Sequence, residues 1–433
     1  MTRSPTWFRW GLAGTMAAGL VARFWYLAAV GRKLPVVGDA LTYHLLARVL
    51  AAGEGYVRPR ELIELGRSVP TAEFPPLHPF VLALAVRRVD ADEVGQRVVG
   101  ACLGVLTVGL VGLLARRIAG DRAGLVAAGL AALSPVLIEH DTSLGAEGLY
   151  ALLVTGSLLA IHVAMTRPTR PFHLVLLGLL LGAAALTRSE ALLLVPVAAV
   201  LVAWRPGRPS GRRVARTLAL VGAGALVVTG AWALRSSLAL HSFVPTSTNA
   251  GTLLAGANCD PVYGGEQKGL WRLDCVRAVD TSDVEFDEAA RYRRWTSAGW
   301  HYAADHAAEV PGVAAVRVLR TWGLWDAEDQ IGWETFEGRD RSFHRFAHRI
   351  HVVMVVLAVA GFVVLRRRPR EVVLLLTPVV AAVLVSALSA GNTRFRAGAD
   401  TVLIVAAAVA VDAVIRWWLA RRSSAAQIGV GAA

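Results

Sequence analysis

Asp39 stands a few residues beyond an apolar run at about 11–30. A carboxylate so near the end of a membrane-length run lies where lipid headgroups meet water, and there it could take a proton from an acceptor hydroxyl. It could equally be a plain helix N-cap. A second acidic group is Glu139-His140-Asp141, with Glu147 about two helical turns further on. Gly145 and Ala146 precede Glu147 and leave room for a substrate. The ordinary alternative is a set of interfacial charges capping helix ends. His140 between two acids could be a metal ligand, but adjacent positions on a regular helix cannot all face one ion, and no metal site is expected.

Three arginine sites complete the set. Arg23 lies within the first apolar run, where a charge is costly and is a functional hypothesis by default. At 1.5 Å per residue it is roughly 12 Å along the helix from Gly31, so snorkelling outward is the competing reading. Arg188 is wedged between two apolar runs in Leu186-Thr187-Arg188-Ser189-Glu190. Arg394 and Arg396 lie in Gly391-Asn392-Thr393-Arg394-Phe395-Arg396. Guanidinium forks match phosphate oxygens, which makes an anionic lipid phosphate the simplest partner. An ion pair between Arg188 and Glu190, or interfacial snorkelling, is the alternative.

These residues must be held by membrane helices. Over half of the 433 residues (55%) are hydrophobic, only 18% are charged, and the mean hydropathy is +0.50. That excludes a disordered chain, a disulfide scaffold and a cytosolic enzyme. The composition predicts an all-α polytopic protein. Candidate spans, ten in number, fall at about 11–30, 97–115, 121–138, 146–165, 172–187, 190–204, 217–236, 349–365, 371–389 and 400–419. The short pair flanking 187–190 reads either as two crossings or as one re-entrant hairpin.

A formal charge of +13 could indicate nucleic-acid binding, but the basic residues gather in short loops between spans. Arg3 and Arg9, Arg116–Arg122, Arg167 and Arg170, Arg205–Arg216, Arg366–Arg370, and Arg421 and Arg422 mark every second loop. The positive-inside rule then predicts a multi-pass plasma (inner) membrane protein with both termini cytoplasmic and no nucleic-acid partner. The chemically varied segments, 31–96 and 237–348, fall on the extracytoplasmic face together with tips at about 139–146, 187–190 and 390–399. The active site is expected there.

Four parts follow: an N-terminal transmembrane module over 1–236 that includes the first outer loop, a large outer loop at 237–348, C-terminal helices at 349–422, and a disordered tail at 423–433. Within the first loop, apolar residues at 41, 45, 46, 49 and 50 predict an amphipathic interfacial helix with Asp39 at its start. The second loop carries Trp271, Tyr292, Trp295, Trp300, Tyr302, Trp322, Trp325 and Trp333, suited to interfacial anchoring or to stacking against sugars. Cys259 and Cys275 enclose a Gly-rich stretch. On an oxidising face a disulfide closing roughly 15 residues would contribute about 3 kcal/mol; two free thiols are the alternative.

The pattern resembles the GT-C superfamily of membrane glycosyltransferases, specifically the family 39 group of protein O-mannosyltransferases and aminoarabinose transferases. Gly38-Asp39 with Tyr43, Ala47 and Gly53-Glu54-Gly55-Tyr56 is similar to that family's first extracytoplasmic loop. Phe74-Pro75-Pro76-Leu77-His78-Pro79 resembles its Pro-Pro element. Ser134-Pro135, Glu147-Gly148-Leu149, Leu186-Thr187-Arg188 and Asn392-Thr393-Arg394-Phe395-Arg396 follow in family order. The resemblance implies an inverting transferase that uses a polyprenyl-phosphate sugar as donor, with Asp39 matching the catalytic acidic residue. Arg188, Arg394 and Arg396 match positions near the lipid phosphate. Tyr43, Asp141, Glu147, Glu190 and Arg23 are carried as substrate-binding candidates. Membrane lipids are the surrounding partner and no metal cofactor is expected. Ala40 stands where mannosyltransferases often have a second acid, and Phe74 where the aminoarabinose branch has lysine. The sugar and the acceptor are therefore not named by the resemblance. The competing reading is a transporter or flippase for lipid-linked sugars. Such proteins tend to carry charges and broken helices near mid-membrane, often in inverted repeats, whereas the charges here gather at helix ends.

Overall fold

The computed structural model describes residues 5–204 and 210–430; Arg3, Arg205 and Arg208 of the basic loops lie outside them. The N-terminal part runs α1 (Thr6–Ala29), α2 (Gly38–Ala52), α3 (Pro59–Leu65), α4 (Leu77–Val89), α5 (Glu93–Ala119), α6 (Asp121–Leu133), α7 (Pro135–Thr142), α8 (Glu147–Thr166), α9 (Pro171–Ala185), α10 (Leu194–Ala203) and α11 (Gly211–Ala239). Short helices follow: α12 (Asn249–Ala257), α13 (Asp260–Tyr263), α14 (Leu273–Arg277), α15 (Glu288–Asp305), α16 (Val310–Thr321) and α17 (Ala327–Thr335). The chain ends with α18 (Arg341–Leu365), α19 (Pro369–Leu388) and α20 (Ala397–Val430). Among the described residues the only β pairing is an isolated antiparallel bridge, Val57 to Pro70. Helical backbone as far as Val430 occupies most of the stretch expected as a disordered tail; residues 431–433 lie outside the described residues.

Among the described residues seven helices are long and apolar enough to cross a membrane: α1, α5, α8, α11, α18, α19 and α20. The bent pair α6–α7 counts as an eighth if it is one broken span, and the two shorter apolar helices Pro171–Ala185 and Ser189–Ala203 fall where the remaining pair is expected. These two reach through the bundle. Arg370, in the first turn of α19, donates to the carbonyls of Met165 and Leu201, while Arg188, between α9 and α10, reaches Glu147. Met165 and Glu147 are at opposite ends of α8, so α9 and α10 run its whole length.

α20 is the axis of the bundle. Every residue from Thr401 to Ala410 is buried, as expected of a helix that is apolar on all sides. α5, α6, α8, α18 and α19 pack around it. Small residues permit close approach: Gly178 of α9 lies directly against the α11 backbone at Val221. Outward faces stay apolar, with Leu226 and Val227 of α11 and Val356 and Val359 of α18 exposed, as a lipid-facing surface requires.

The bend between α6 and α7, 58°, follows from Pro135, whose ring cannot continue α6. Ser134 caps α7 through the Leu137 amide (3.4 Å). This turn carries Glu139, His140 and Asp141 into the bundle. The two polar segments fold as α2–α4 and α12–α17 and meet through Glu288, which accepts from Thr71 Oγ1 (2.6 Å), the Ala72 amide (2.7 Å) and Thr248 Oγ1 (2.8 Å).

Candidate active site

α2 starts beside the mouth of the bundle. The helix begins at Gly38 with Val37 as its cap residue and no side-chain capping bond, so Asp39 is not the N-cap. Its carboxylate instead accepts from Arg394 Nη1 at 2.9 Å, and its side chain remains 41% exposed. Position in the first turn still places a negative charge favourably on the helix dipole. Arg394 is half-embedded and serves three carboxylates: Asp39, Glu147 through Nε (2.6 Å), and Glu337 (3.7 Å). Arg188 donates to the same Glu147 oxygen (3.2 Å) and to Glu190 (2.6 Å). It also lies over the ring of Phe395, 5.3 Å from its centroid.

Five expected residues therefore converge: Asp39, Glu147, Arg188, Glu190 and Arg394. They come from α2, the start of α8, the α9–α10 tip and the turn before α20. Tyr43, one turn along α2 from Asp39, is buried against Phe74 (4.8 Å) and His78 (5.0 Å). Burial, then the charges of Asp39 and Glu147, push its hydroxyl well above the ordinary range, so it stays protonated. Burial works against the charge on Arg188, but Glu190 and Glu147 more than restore it and raise its pKa.

The other expected residues lie elsewhere. Arg23 and Asp141 pair with each other, sealed inside the protein. Nε and Nη2 both reach Asp141 Oδ2, at 2.8 and 2.6 Å, with side chains 0% and 1% exposed. Arg23 does not snorkel; Nη1 is held by the carbonyls of Gly19 (3.0 Å) and Ala132 (3.3 Å). Gly104 of α5 makes room for the pair, because a Cβ there would collide with both side chains. Neither residue reaches the mouth. Arg396 also points away, donating to the Thr321 carbonyl (2.6 Å) and lying 3.4 Å from Asp400. The acidic triplet is buried rather than interfacial, and each member faces a different partner: Glu139 faces His344 (2.8 Å), His140 faces Asp400 (3.3 Å), and Asp141 faces Arg23. Cys259 and Cys275 are joined as a disulfide across a Cα separation of 6.2 Å.

Reading the second polar segment for its aromatics misses its acidic end. Glu337 joins the cluster, 3.7 Å from Arg394, while Glu334 stands behind it, 3.3 Å from Arg339 and bonded to Thr393. The dense charge of Glu334, Glu337, Arg339 and Asp340 was the available signal. Asp400 had one too, standing four residues after Arg396 at helical spacing. Burial pushes the Glu334 carboxyl up, but Arg339, His344 and Thr393 outweigh it and hold it well below the ordinary range. Glu73, before the Pro-Pro element, is pushed up to about 7 by burial, then by Glu288 and Asp39.

Chemically, the mouth offers an accessible carboxylate beside two guanidinium groups. The carboxylates around it are already engaged by arginine. Among the described residues no group of three or more His, Cys, Asp or Glu is arranged to hold a metal ion.

Residues 73–233 match the family described as dolichyl-phosphate-mannose-protein mannosyltransferase. A comparison with curated proteins gave no match. Among solved structures the chain is similar to the oligosaccharyltransferase AglB from Archaeoglobus fulgidus. Against AglB in complex with an inhibitory peptide and a dolichol-phosphate, identity is 15% and the TM-score 0.51, covering 98% of this chain and 52% of that one. Against AglB tethered to an acceptor peptide containing the NVT sequon, identity is 15% and the TM-score 0.53, covering 95% and 50%. ArnT from Cupriavidus metallidurans bound to undecaprenyl phosphate is 18% identical with a TM-score of 0.42, covering 94% and 77%. The chain spans about half the length of the AglB structures, and at such identity the likeness is one of fold. Fold and family match point the same way: residues 73–233 are similar to that mannosyltransferase family, and the chain shares the helical fold of AglB.

Proposed function

We propose that this protein is an inverting glycosyltransferase that moves a sugar from a polyprenyl-phosphate donor to an acceptor hydroxyl at the extracytoplasmic face of the plasma membrane. The observation that carries this reading is the meeting of Asp39 with Arg394 and Arg188 at the mouth of the bundle. Asp39 accepts the acceptor's proton as the acceptor oxygen attacks the anomeric carbon. The bond from that carbon to the phosphate oxygen breaks, and the charge left on the lipid phosphate is met by the guanidinium groups. Both arginines are held by carboxylates, so a phosphate entering beside them exchanges partners rather than recruiting free charge. Glu147 stays behind as the fixed counter-charge that orients both.

The basic loops at the opposite end of the bundle support a cytoplasmic position for that end. The exposed apolar helix faces support lateral entry of a long isoprenoid tail from the bilayer. Family 39 likeness supports a monophosphate lipid donor. A second outcome, flipping of lipid-linked sugar without transfer, is separated by one experiment. Purified protein in liposomes is given a radiolabelled polyprenyl-phosphate sugar and a panel of envelope acceptors. Label appearing on an acceptor, with release of polyprenyl phosphate, supports the transferase; label moving between leaflets with no new glycoside contradicts it.

A further inference from the structure

Arg394 can serve Asp39 and Glu147 together only if its backbone is held still, because those carboxylates belong to α2 and α8, far apart in the chain. The turn that carries it, Thr393–Arg396, is gripped from the second polar segment. Glu334 of α17 is 1% exposed and accepts from the Thr393 amide (3.1 Å) and from Thr393 Oγ1 (2.6 Å). The same carboxylate accepts from Gln330 Nε2 (2.8 Å), and it lies 2.9 Å from His344 Nε2 and 3.3 Å from Arg339. Its oxygens are saturated and its position is fixed from several sides. His344 is in turn braced by Glu139 on its other ring nitrogen, which ties α17 to α7 and α18. One residue earlier, Asn392 Nδ2 donates to Glu337 (2.9 Å), and Asn392 Oδ1 accepts from the Arg394 amide (3.0 Å).

We infer that Glu334 is a positioning residue: acting through Thr393, it sets the reach of Arg394 into the site. This rests on the transferase reading for its consequence, a correctly placed guanidinium for the lipid phosphate. Its geometry stands on contacts alone. The outer segment 237–348 then completes the phosphate-facing half of the site from outside the bundle. Arg394 by itself, on an unbraced turn, would settle on whichever carboxylate was nearest. A charged donor preset at a fixed place is worth more to a developing anion than one that must be ordered as the reaction proceeds.

The test is a double-mutant cycle on purified protein, with undecaprenyl phosphate in detergent micelles as the probe. Thr393→Val keeps the shape and removes the hydroxyl bond; Thr393→Ser keeps the hydroxyl and is the rescue. Thr393→Val is expected to weaken undecaprenyl phosphate binding about tenfold, as for loss of one hydrogen bond to a charged group. Thr393→Ser should restore it, and Thr393→Val should have no further effect in an Arg394→Ala background. Additive losses, or wild-type affinity in Thr393→Val, would overturn the inference. Glu334→Gln is the harsher variant, and Thr393→Val carries the test if that protein does not fold. Should the wild-type protein itself fail to bind undecaprenyl phosphate, the transferase reading is what fails. A cryo-EM structure of Thr393→Val then decides the positioning role. Arg394 displaced from Asp39 and Glu147 sustains it; Arg394 still bridging both carboxylates refutes it.

Discussion

Two arginine–carboxylate groups in this molecule use the same chemistry to opposite ends. Arg23 and Asp141 are sealed in the bundle, with side chains 0% and 1% exposed. The Asp39–Arg394–Glu147–Arg188 group is open on one side, with Asp39 itself 41% exposed. A sealed pair neutralises two charges that the surrounding helices would otherwise strand, and its geometry leaves no room for a third group. An open group has fixed charges, shared partners and access, which is what a ligand needs. The teaching is that an intramembrane arginine is not of itself a ligand site; the route to water decides.

The contrast can be broken or sharpened by substitution. The largest effect is expected for Arg394→Ala. It should weaken polyprenyl phosphate binding by about tenfold to 150-fold, on the scale of a lost charge-assisted contact (about 1.5–3 kcal/mol), with a smaller loss of thermal stability than from a sealed pair, because Glu147 keeps Arg188. Arg23→Met should do the reverse. Stranding Asp141 costs about 3–5 kcal/mol by analogy with other broken buried pairs, read as a lower melting temperature and yield, with donor affinity per folded molecule retained. Equal loss of donor binding in both variants would erase the distinction drawn here.

Removing the disulfide by Cys259→Ser with Cys275→Ser should destabilise the outer segment by about 3 kcal/mol on the chain-entropy estimate, read as faster limited proteolysis within 237–348. The smallest effect concerns pH. The Glu73 carboxyl is raised to about 7 by burial and by Glu288 and Asp39, so folding favours its protonated form. That stabilisation is full below the ordinary carboxylate range and is lost as pH rises through about 7. The melting temperature should therefore decline as pH rises from the ordinary carboxylate range to about 7 and level off above it, and Glu73→Gln should flatten that decline. An unchanged slope in the variant would remove Glu73 from the account.

The helices were legible in the sequence because ten apolar runs and their arginine-marked loops are strong one-dimensional signals. The α2 helix was legible too, from apolar residues at 41, 45, 46, 49 and 50. Residue partnership was only half legible. Short tips such as Thr187-Arg188-Ser189-Glu190 can hardly avoid the bundle's mouth, and so Arg188 and Arg394 were found. The sequence places Asp141 at the mouth, whereas Pro135 turns α7 inward, and a bend of 58° changes which charges face water. Arg396 was grouped with Arg394 by adjacency. In the tight Thr393–Arg396 turn two residues of separation point the side chains in different directions, one to Asp39 and the other to the Thr321 carbonyl. Glu334 and Glu337 are marked in the sequence only by a dense run of charge, because their role depends on long-range docking of α17, which that run does not specify.

The central claim is that Asp39 removes the acceptor's proton while the arginines hold the departing phosphate. Single-turnover transfer from a polyprenyl-phosphate sugar by purified Asp39→Asn, with donor affinity measured on the same sample, tests it directly. Transfer by the variant is expected to slow about a hundredfold or more with donor binding preserved. A turnover rate equal to that of the wild-type protein would contradict it.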